Sequence, residues 1–589
     1  MGLPAADGSL ALTSEADRYD RAAGEKAAAA VLRKTGRLGT DDPDDAVWER
    51  LTRHTLDGVG VPPLGTPADL EGLSTAGRPT RQGPWDVRVA GRGGAALLDE
   101  LENGATSVWL RLDGPVTPEV LAAALDGVLV DLAPVVLDAP DDPVGAARSL
   151  TEWLQTIGTT PAPGSGVGAD PVGSALRTGQ AAVDVDTVVA DVAAAAGSAG
   201  VLALVVDGTV VHDLGASDAQ ELGYSLATGA AYLRALGRAG VDVERAVGLV
   251  EFRYAVTDEQ LVSIAKLRAA RRCWARLVEL CGVAEAQQRQ HAVTSRPMMS
   301  RYDPYVNLLR TTVAAFAAGV GGADAVTVRP FDSPLGEPDA FGRRMARNIS
   351  SLLVAESHVA AVADPAGGAY AVERLTDELA AAAWAELQRL EASGGVLGAW
   401  ADGSLQARVD EVVAARDRDV ATRRRPLTGV SEFPNLAETL PERAGGPDPV
   451  RRYGAAYEAM RDAPASSPVF LATMGSVAAH SPRALFATNL FAAGGVGVEV
   501  AGATGGADDV VAAYAGQPVV CLAGPDAAYA EWGPPLVAAL RGAGATRVIL
   551  AGKPGEGSVP AELVDDSCAV GVDAVAFLTR TREALEVAR

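Results

Sequence analysis

The stretch Gly475-Ser476-Val477-Ala478-Ala479-His480-Ser481-Pro482 sets one imidazole where an apolar run ends and a helical pattern begins. A histidine on such a loop can ligate a metal or a metal-bearing cofactor if a polar neighbour orients the ring and the backbone leaves room. His480 is expected to be a solvated loop histidine. Other chemistry is thin. His212-Asp213 is half of a nucleophile triad, but no Gly-x-Ser-x-Gly elbow accompanies it. Gly552-Lys553 is followed by Pro554 and lacks the glycine spacing of a phosphate loop. Arg271-Arg272 and Arg423-Arg424-Arg425 are expected on a solvated face or in salt bridges with a partner. The four cysteines, none in a C-x-x-C pair, point to reduced and mostly buried thiols.

The elements that position His480 are legible in apolar periodicity. Residues 468–474 form a short apolar run, and from Arg483 onward Leu485, Phe486, Leu490 and Phe491 fall at helical spacing. Strand-like runs recur at 496–500, 518–522, 546–550 and 574–577, with Ala-rich helical segments between them. Alternating strands and helices predict a parallel, doubly wound sheet, whose ligands sit beyond the carboxyl ends of the strands. Upstream, strand candidates at 107–112, 127–130, 201–206, 246–252, 325–328 and 358–362 alternate with helices, clearest at 258–282 and 339–356. That spacing predicts an eight-stranded α/β barrel. The predicted architecture is therefore a parallel (β/α)8 TIM-type barrel followed by a flavodoxin-like doubly wound domain. The domains are expected at 1–83 (a helical and extended arm), 84–400 (the barrel), 401–463 (a linker) and 464–589 (the second domain).

At 589 residues with 48% apolar content, the chain can build two sizeable cores. Its formal charge of -24 argues against nucleic acid or anionic membrane as a partner. No window approaches 18 uninterrupted apolar residues, and the acidic start lacks a signal peptide's pattern, so a cytoplasmic location is expected.

Four segments in order make a more specific case. Ile264-Ala265-Lys266-Leu267-Arg268-Ala269-Ala270-Arg271 before Trp274, Asp303-Pro304-Tyr305-Val306-Asn307, Ala346-Arg347-Asn348 and Asp364-Pro365-Ala366-Gly367-Gly368-Ala369-Tyr370 resemble segments of the methylmalonyl-CoA mutase family. Met474-Gly475 and the helix around Ala487-Thr488 look like that family's cobalamin-binding domain. In the family's active chains a barrel holds acyl-CoA along its axis, and an Asp-x-His-x-x-Gly loop places the histidine on cobalt. The resemblance puts Val477, Ala479 and Pro482 at those three loop positions, with His480 one residue late. Ala523 and Pro525 stand where a Ser-x-Leu is expected, and Lys553 stands in a Gly-Gly pair. In the barrel, Thr80 and the pair Thr209-Val210 replace a Tyr and a Tyr-His pair, and Val293 replaces a Gln. The run from Val87 to Ser107 is shorter than the substrate-covering loops of active chains.

What the resemblance implies is a chain that kept the fold and lost its chemistry. The expected role is the non-catalytic small subunit of a heterodimeric, adenosylcobalamin-dependent mutase interconverting (R)-methylmalonyl-CoA and succinyl-CoA in propionate metabolism. Cofactor and acyl-CoA would lie on a homologous catalytic large subunit, stabilised by this chain and wrapped by its N-terminal arm. Two alternatives remain open: a catalytic acyl-CoA mutase in which His480 ligates cobalt, and a cobalamin-loading chaperone or binding module.

Overall fold

The computed structural model describes residues 20–73, 77–179, 184–285, 287–447 and 449–587. Eight parallel strands close into a barrel: β1 (Asp86–Gly91), β2 (Ser107–Arg111), β3 (Val135–Asp138), β4 (Gly166–Ala169), β5 (Leu202–Asp207), β6 (Val250–Val256), β7 (Arg289–Thr294) and β8 (Ala325–Thr327), with β8 pairing back onto β1. Closure leaves no exposed edge. The strands are buried on both faces, as in β6, where all seven residues are inaccessible. Asp142-Pro143 and Asp170-Pro171 each start a helix, the carboxylate capping a backbone N–H three residues on and the proline occupying the first helical position.

Three helices frame the site: α1 (Thr209–Leu214), α2 (Asp218–Arg238) and α3 (Gln260–Leu280). A Cβ on Gly229 of α2 would meet Trp274 at 2.9 Å and Phe252 at 3.2 Å, so the glycine lets α2 lie close against the barrel. The next long helix, α4 (Tyr370–Ala392), packs beside α2 and α3.

Five parallel strands form the second domain: β9 (Val469–Thr473), β10 (Val498–Val500), β11 (Val519–Ala523), β12 (Arg547–Ala551) and β13 (Asp566–Cys568), in the order β10-β9-β11-β12-β13. Each face of this sheet carries its own apolar cluster, which is the doubly wound arrangement.

Three predicted strands are absent. Residues 127–130 open with Gly127 at φ +76° and belong to a turn; the strand is β3, five residues on. Residues 358–362 begin with His358 at φ +51° and pass into a 3-10 turn. The apolar run 574–577 is the first turn of the last helix, with Ala574 and Phe577 buried, while the fifth strand is the more polar β13. The candidate at 246–252 divides between the end of a short helix and the start of β6.

The N-terminal segment forms a small cluster of its own around Ala29, Leu32, Leu38 and Val47. It then runs along the barrel's helices, where Asp69 pairs with Arg374 at 2.9 Å and Ala219 N donates to Asp57. Between the two sheets, α5 (Ser404–Ala421) and the chain to Asp462 lie over the loops that follow β5 to β8. Arg416 donates to Gly215 O at 2.7 Å, Tyr453 N to Pro297 O at 2.9 Å, and Glu337 N to Ala444 O at 2.7 Å. This strap covers part of the barrel's carboxyl end.

Candidate functional site at the carboxyl end of the barrel

The loops after β5 and β7 bring together residues that are far apart in the chain. His212 in α1 lies with Nε2 2.7 Å from Ser295 Oγ, and its Nδ1 lies 3.2 Å from Glu221 Oε2 in the first turn of α2. Serine, imidazole and carboxylate in that order resemble a nucleophile triad. The carboxylate is already engaged. Lys266 Nζ sits 2.5 Å from Glu221 and 2.9 Å from Asp218, and Ala255 N donates to the other Glu221 oxygen at 2.8 Å. Burial alone would raise the Asp218 carboxyl, but the Lys266 ammonium holds it below its usual value. Ser295 is 1% exposed and also accepts from Met298 N, so this set pins the β7 loop to α1 and α2. Asp213, the residue after His212, pairs with Arg296 at 2.8 Å and takes no part in this set.

Beside this network is a cavity of about 110 Å³, lined by Trp109, Arg111, Asp138, Arg177, Asp207, Thr209, Asp213, Val293, Ser295, Arg296 and Arg329, among others. Thr209 and Val293, two of the positions singled out in the sequence, thus meet at one cleft. Val210 faces the core instead, and Thr80 is exposed before β1, near the barrel's amino end.

Below the cleft the barrel interior is filled by charged and aromatic side chains. Arg88 from β1 pairs with Glu251 from β6 at 2.9 Å, and Arg289 reaches the same carboxylate at 3.2 Å. Arg253 and Arg177 share Asp207 at 2.9 and 2.5 Å. Burial would raise Asp207, yet the two guanidiniums hold it well below the carboxylate range. Arg253 also stacks over Trp109 at 4.0 Å, whose ring meets His291 edge-on at 5.4 Å. Burial, then the fields of Arg88, Arg253 and Arg289, keep His291 well below its usual value. Buried charges persist in a core only when paired in this way.

At the carboxyl ends of β9, β11 and β12 the loop expected to hold His480 is nearly gone. Helix α6 (Val477–Ala493) starts three residues after Met474, and Val477, Ala479 and Pro482 are exposed on its first turns. His480 is 5% exposed, with Nδ1 3.2 Å from Gly475 O, so it is a buried helix residue and not a solvated loop histidine. Pro482 is the sixth residue of this helix, past the first turn where a missing N–H costs nothing, so the helix forms in spite of it.

The crevice between these strand ends is occupied by two side chains the sequence reading missed. Arg483 donates to Gly524 O and to Asp526, each at 2.5 Å, and lies 4.8 Å over the ring of Tyr529 in α7 (Asp526–Gly542). Tyr529 Oη accepts from Gly524 N at 3.0 Å and donates to Ala551 O at 2.8 Å. Ala523 is buried in β11, Pro525 starts α7, and Lys553 is exposed. Among the described residues no group of three or more His, Cys, Asp or Glu side chains could hold a metal ion.

The family model for methylmalonyl-CoA mutase matches residues 190–456. The chain is 45% identical to the methylmalonyl-CoA mutase small subunit of Streptomyces virginiae, over 95% of each chain. It belongs to the methylmalonyl-CoA mutase family. The Propionibacterium freudenreichii subsp. shermanii small subunit is 35% identical over 92% of this chain and 91% of its own. Likeness to the mutase large subunit of Streptomyces virginiae is 35% but covers only 39% of this chain and 32% of that one. As a mutase-family chain it therefore matches these two small subunits over more than nine-tenths of its length and this large subunit over about two-fifths. Its remaining motifs are structural. Arg271 is buried and donates to Gly321 O and Gln290, against the expectation of a solvated face, while Arg423 and Arg424 pair within the chain with Glu432 and Asp419. Cys273, Cys521 and Cys568 are buried free thiols and Cys281 is exposed. No helix among the described residues is long and apolar enough to cross a membrane.

Proposed function

We propose that this chain is the non-catalytic small subunit of a heterodimeric methylmalonyl-CoA mutase, interconverting (R)-methylmalonyl-CoA and succinyl-CoA, and that it stabilises a homologous large subunit carrying adenosylcobalamin and substrate. The observation that carries this reading is the interior of the barrel. The Arg88–Glu251 and Arg253–Asp207 pairs and Trp109 stand across the axis along which acyl-CoA would have to lie. The cavity above them, about 110 Å³, is well below the roughly 300–1,000 Å³ typical of ligand pockets. Thr209 and Val293 supply no acid, base or imidazole there, and such groups typically contribute about 10²- to 10⁴-fold each.

The second domain supports the same reading. A cobalamin tail would need the crevice that Arg483 and Tyr529 fill, and a cobalt ligand would need an imidazole that His480 keeps turned toward Gly475 O. The residues present do not fit the cofactor, so no step through it is assigned to this chain.

Pairing with the large subunit would follow a pseudo-twofold axis, as expected for a duplicated chain, and bury more than about 2,000 Å² as obligate complexes do. The N-terminal arm, which makes a separate small cluster around α-helical Ala29 and Leu32, is the segment proposed to reach the partner. The test is a visible-absorbance titration with adenosylcobalamin of this chain alone and of its co-expressed complex with the large homologue. One equivalent bound per complex and none by the single chain is expected. Stoichiometric binding by the single chain overturns the reading in favour of a catalytic or cobalamin-loading role. The single chain is also expected to unfold at lower temperature than the complex.

A further inference from the structure

The cleft at the barrel mouth is small, but its chemistry is one-sided. The guanidiniums of Arg111, Arg177, Arg296 and Arg329 line it against three carboxylates, Asp138, Asp207 and Asp213. Those carboxylates are committed: Asp207 to Arg177 and Arg253, Asp213 to Arg296, and Asp138 to Arg111 at 3.6 Å. Donors remain. Trp109 lines the cleft, is 8% exposed, and its Nε1–H has no hydrogen-bond partner among the described residues; the same holds for Nη2 of Arg253, stacked on the Trp109 ring. An indole N–H can only donate, and a buried donor left unmet is costly. A cavity with spent acceptors and unmet donors takes a ligand that is all acceptor.

We propose that this cleft binds a compact, multiply charged oxyanion, of the class of inorganic phosphate or a short dicarboxylate, held by Trp109 Nε1 and the surrounding guanidiniums. The volume admits such an ion and excludes an acyl-CoA thioester. Charge-assisted hydrogen bonds from arginines are the strong kind, and the lining residues come from the ends of β2, β3, β5, β6 and β7 and from the segments after β3, β4, β5, β7 and β8. A bound anion therefore ties those segments together and raises the stability of the folded chain by mass action. The inference concerns this chain's own barrel and holds whether or not the mutase reading above does.

The test is isothermal titration of the co-expressed complex with inorganic phosphate, at constant ionic strength, for wild type and two variants of this chain. Wild type is expected to show one saturable equivalent per copy of this chain. Trp109→Phe, which keeps an aromatic ring beneath Arg253 and removes the donor together with the indole's five-membered ring, is expected to weaken that equivalent about tenfold. Asp213→Asn, which removes a competing negative charge and frees Arg296, is expected to tighten it several-fold, a gain that misfolding cannot mimic. Competition by malonate distinguishes the sources: displacement of phosphate at lower concentration than phosphate itself requires assigns the site to a dicarboxylate, and weaker displacement assigns it to phosphate. Absence of saturable binding at millimolar phosphate, or identical titrations for wild type and both variants, overturns the proposal.

Discussion

Arg253 Nε donates to His291 Nδ1 at 3.2 Å, and that bond decides the state of the imidazole. With Nδ1 an acceptor, the ring is neutral and carries its proton on Nε2, which donates to Thr327 Oγ1 at 2.7 Å, while the threonine hydroxyl donates to Arg88 O at 2.8 Å. A chain of three bonds thus joins β6, β7, β8 and β1 across the barrel.

His291 makes the stability of the barrel depend on pH. Its folded value lies well below the usual histidine value of about 6.5. Above pH 6.5 folded and unfolded chains are both neutral at this residue and its contribution is whole. As pH falls below 6.5 the unfolded chain takes up a proton that the folded ring refuses, so stability is lost at up to about 1.4 kcal/mol per pH unit. Guanidinium midpoints for wild type and His291→Gln at pH 7.5 and 5.5 check this: wild type is expected to lose more stability between the two than the variant does.

Breaking the buried pair between β1 and β6 is expected to be expensive. Glu251 is 0% exposed and answers both Arg88 and Arg289, so Glu251→Gln leaves guanidinium charge in the core and costs about 3–5 kcal/mol. The double variant Arg88→Met/Glu251→Gln, which also removes the most deeply buried of those charges, is expected to be more stable than Glu251→Gln alone, as measured by denaturant unfolding.

Ser295 is expected to be inert despite its triad-like geometry. Its hydroxyl is 1% exposed, and the carboxylate behind His212 is held by the ammonium of Lys266. A fluorophosphonate probe followed by peptide mass spectrometry is expected to leave Ser295 unmodified. Labelling at Ser295 that His212→Gln abolishes would contradict the structural role assigned to this network.

Tyr529 in the second domain seals the strand ends with one hydroxyl. Tyr529→Phe leaves Gly524 N and Ala551 O without that partner and is expected to cost about 1–3 kcal/mol. Hydrogen exchange is the sharper measurement: the amide of Gly524 should lose protection more than amides in the middle of β11.

Much of the architecture was legible because local physics and fold agree. The apolar stripe of α3 and the strand-like runs at β2, β5, β9, β11 and β12 follow from periodicity alone. Other elements were hidden for identifiable reasons. β4 is Gly-Val-Gly-Ala, with Gly168 at φ +65° and a register irregularity, and carries no strand propensity to notice. β13 is polar because it is an edge strand, so the apolar helix face beside it was the stronger signal.

The sequence by itself determined the alternation of strands and helices, the two-domain plan, and the side chains that stand at Thr80, Thr209, Val210 and Val293. Only the tertiary structure decided which side chains meet in the barrel. Ser295 meets His212 across 83 residues of chain, and Arg88 meets Glu251 across 163, because barrel closure brings β1 beside β8 and turns alternate side chains of every strand toward one axis. The fate of His480 was likewise a packing outcome. A three-residue connection after β9 starts the helix early and buries the ring, and no spacing of residue types along the chain encodes which way a side chain turns.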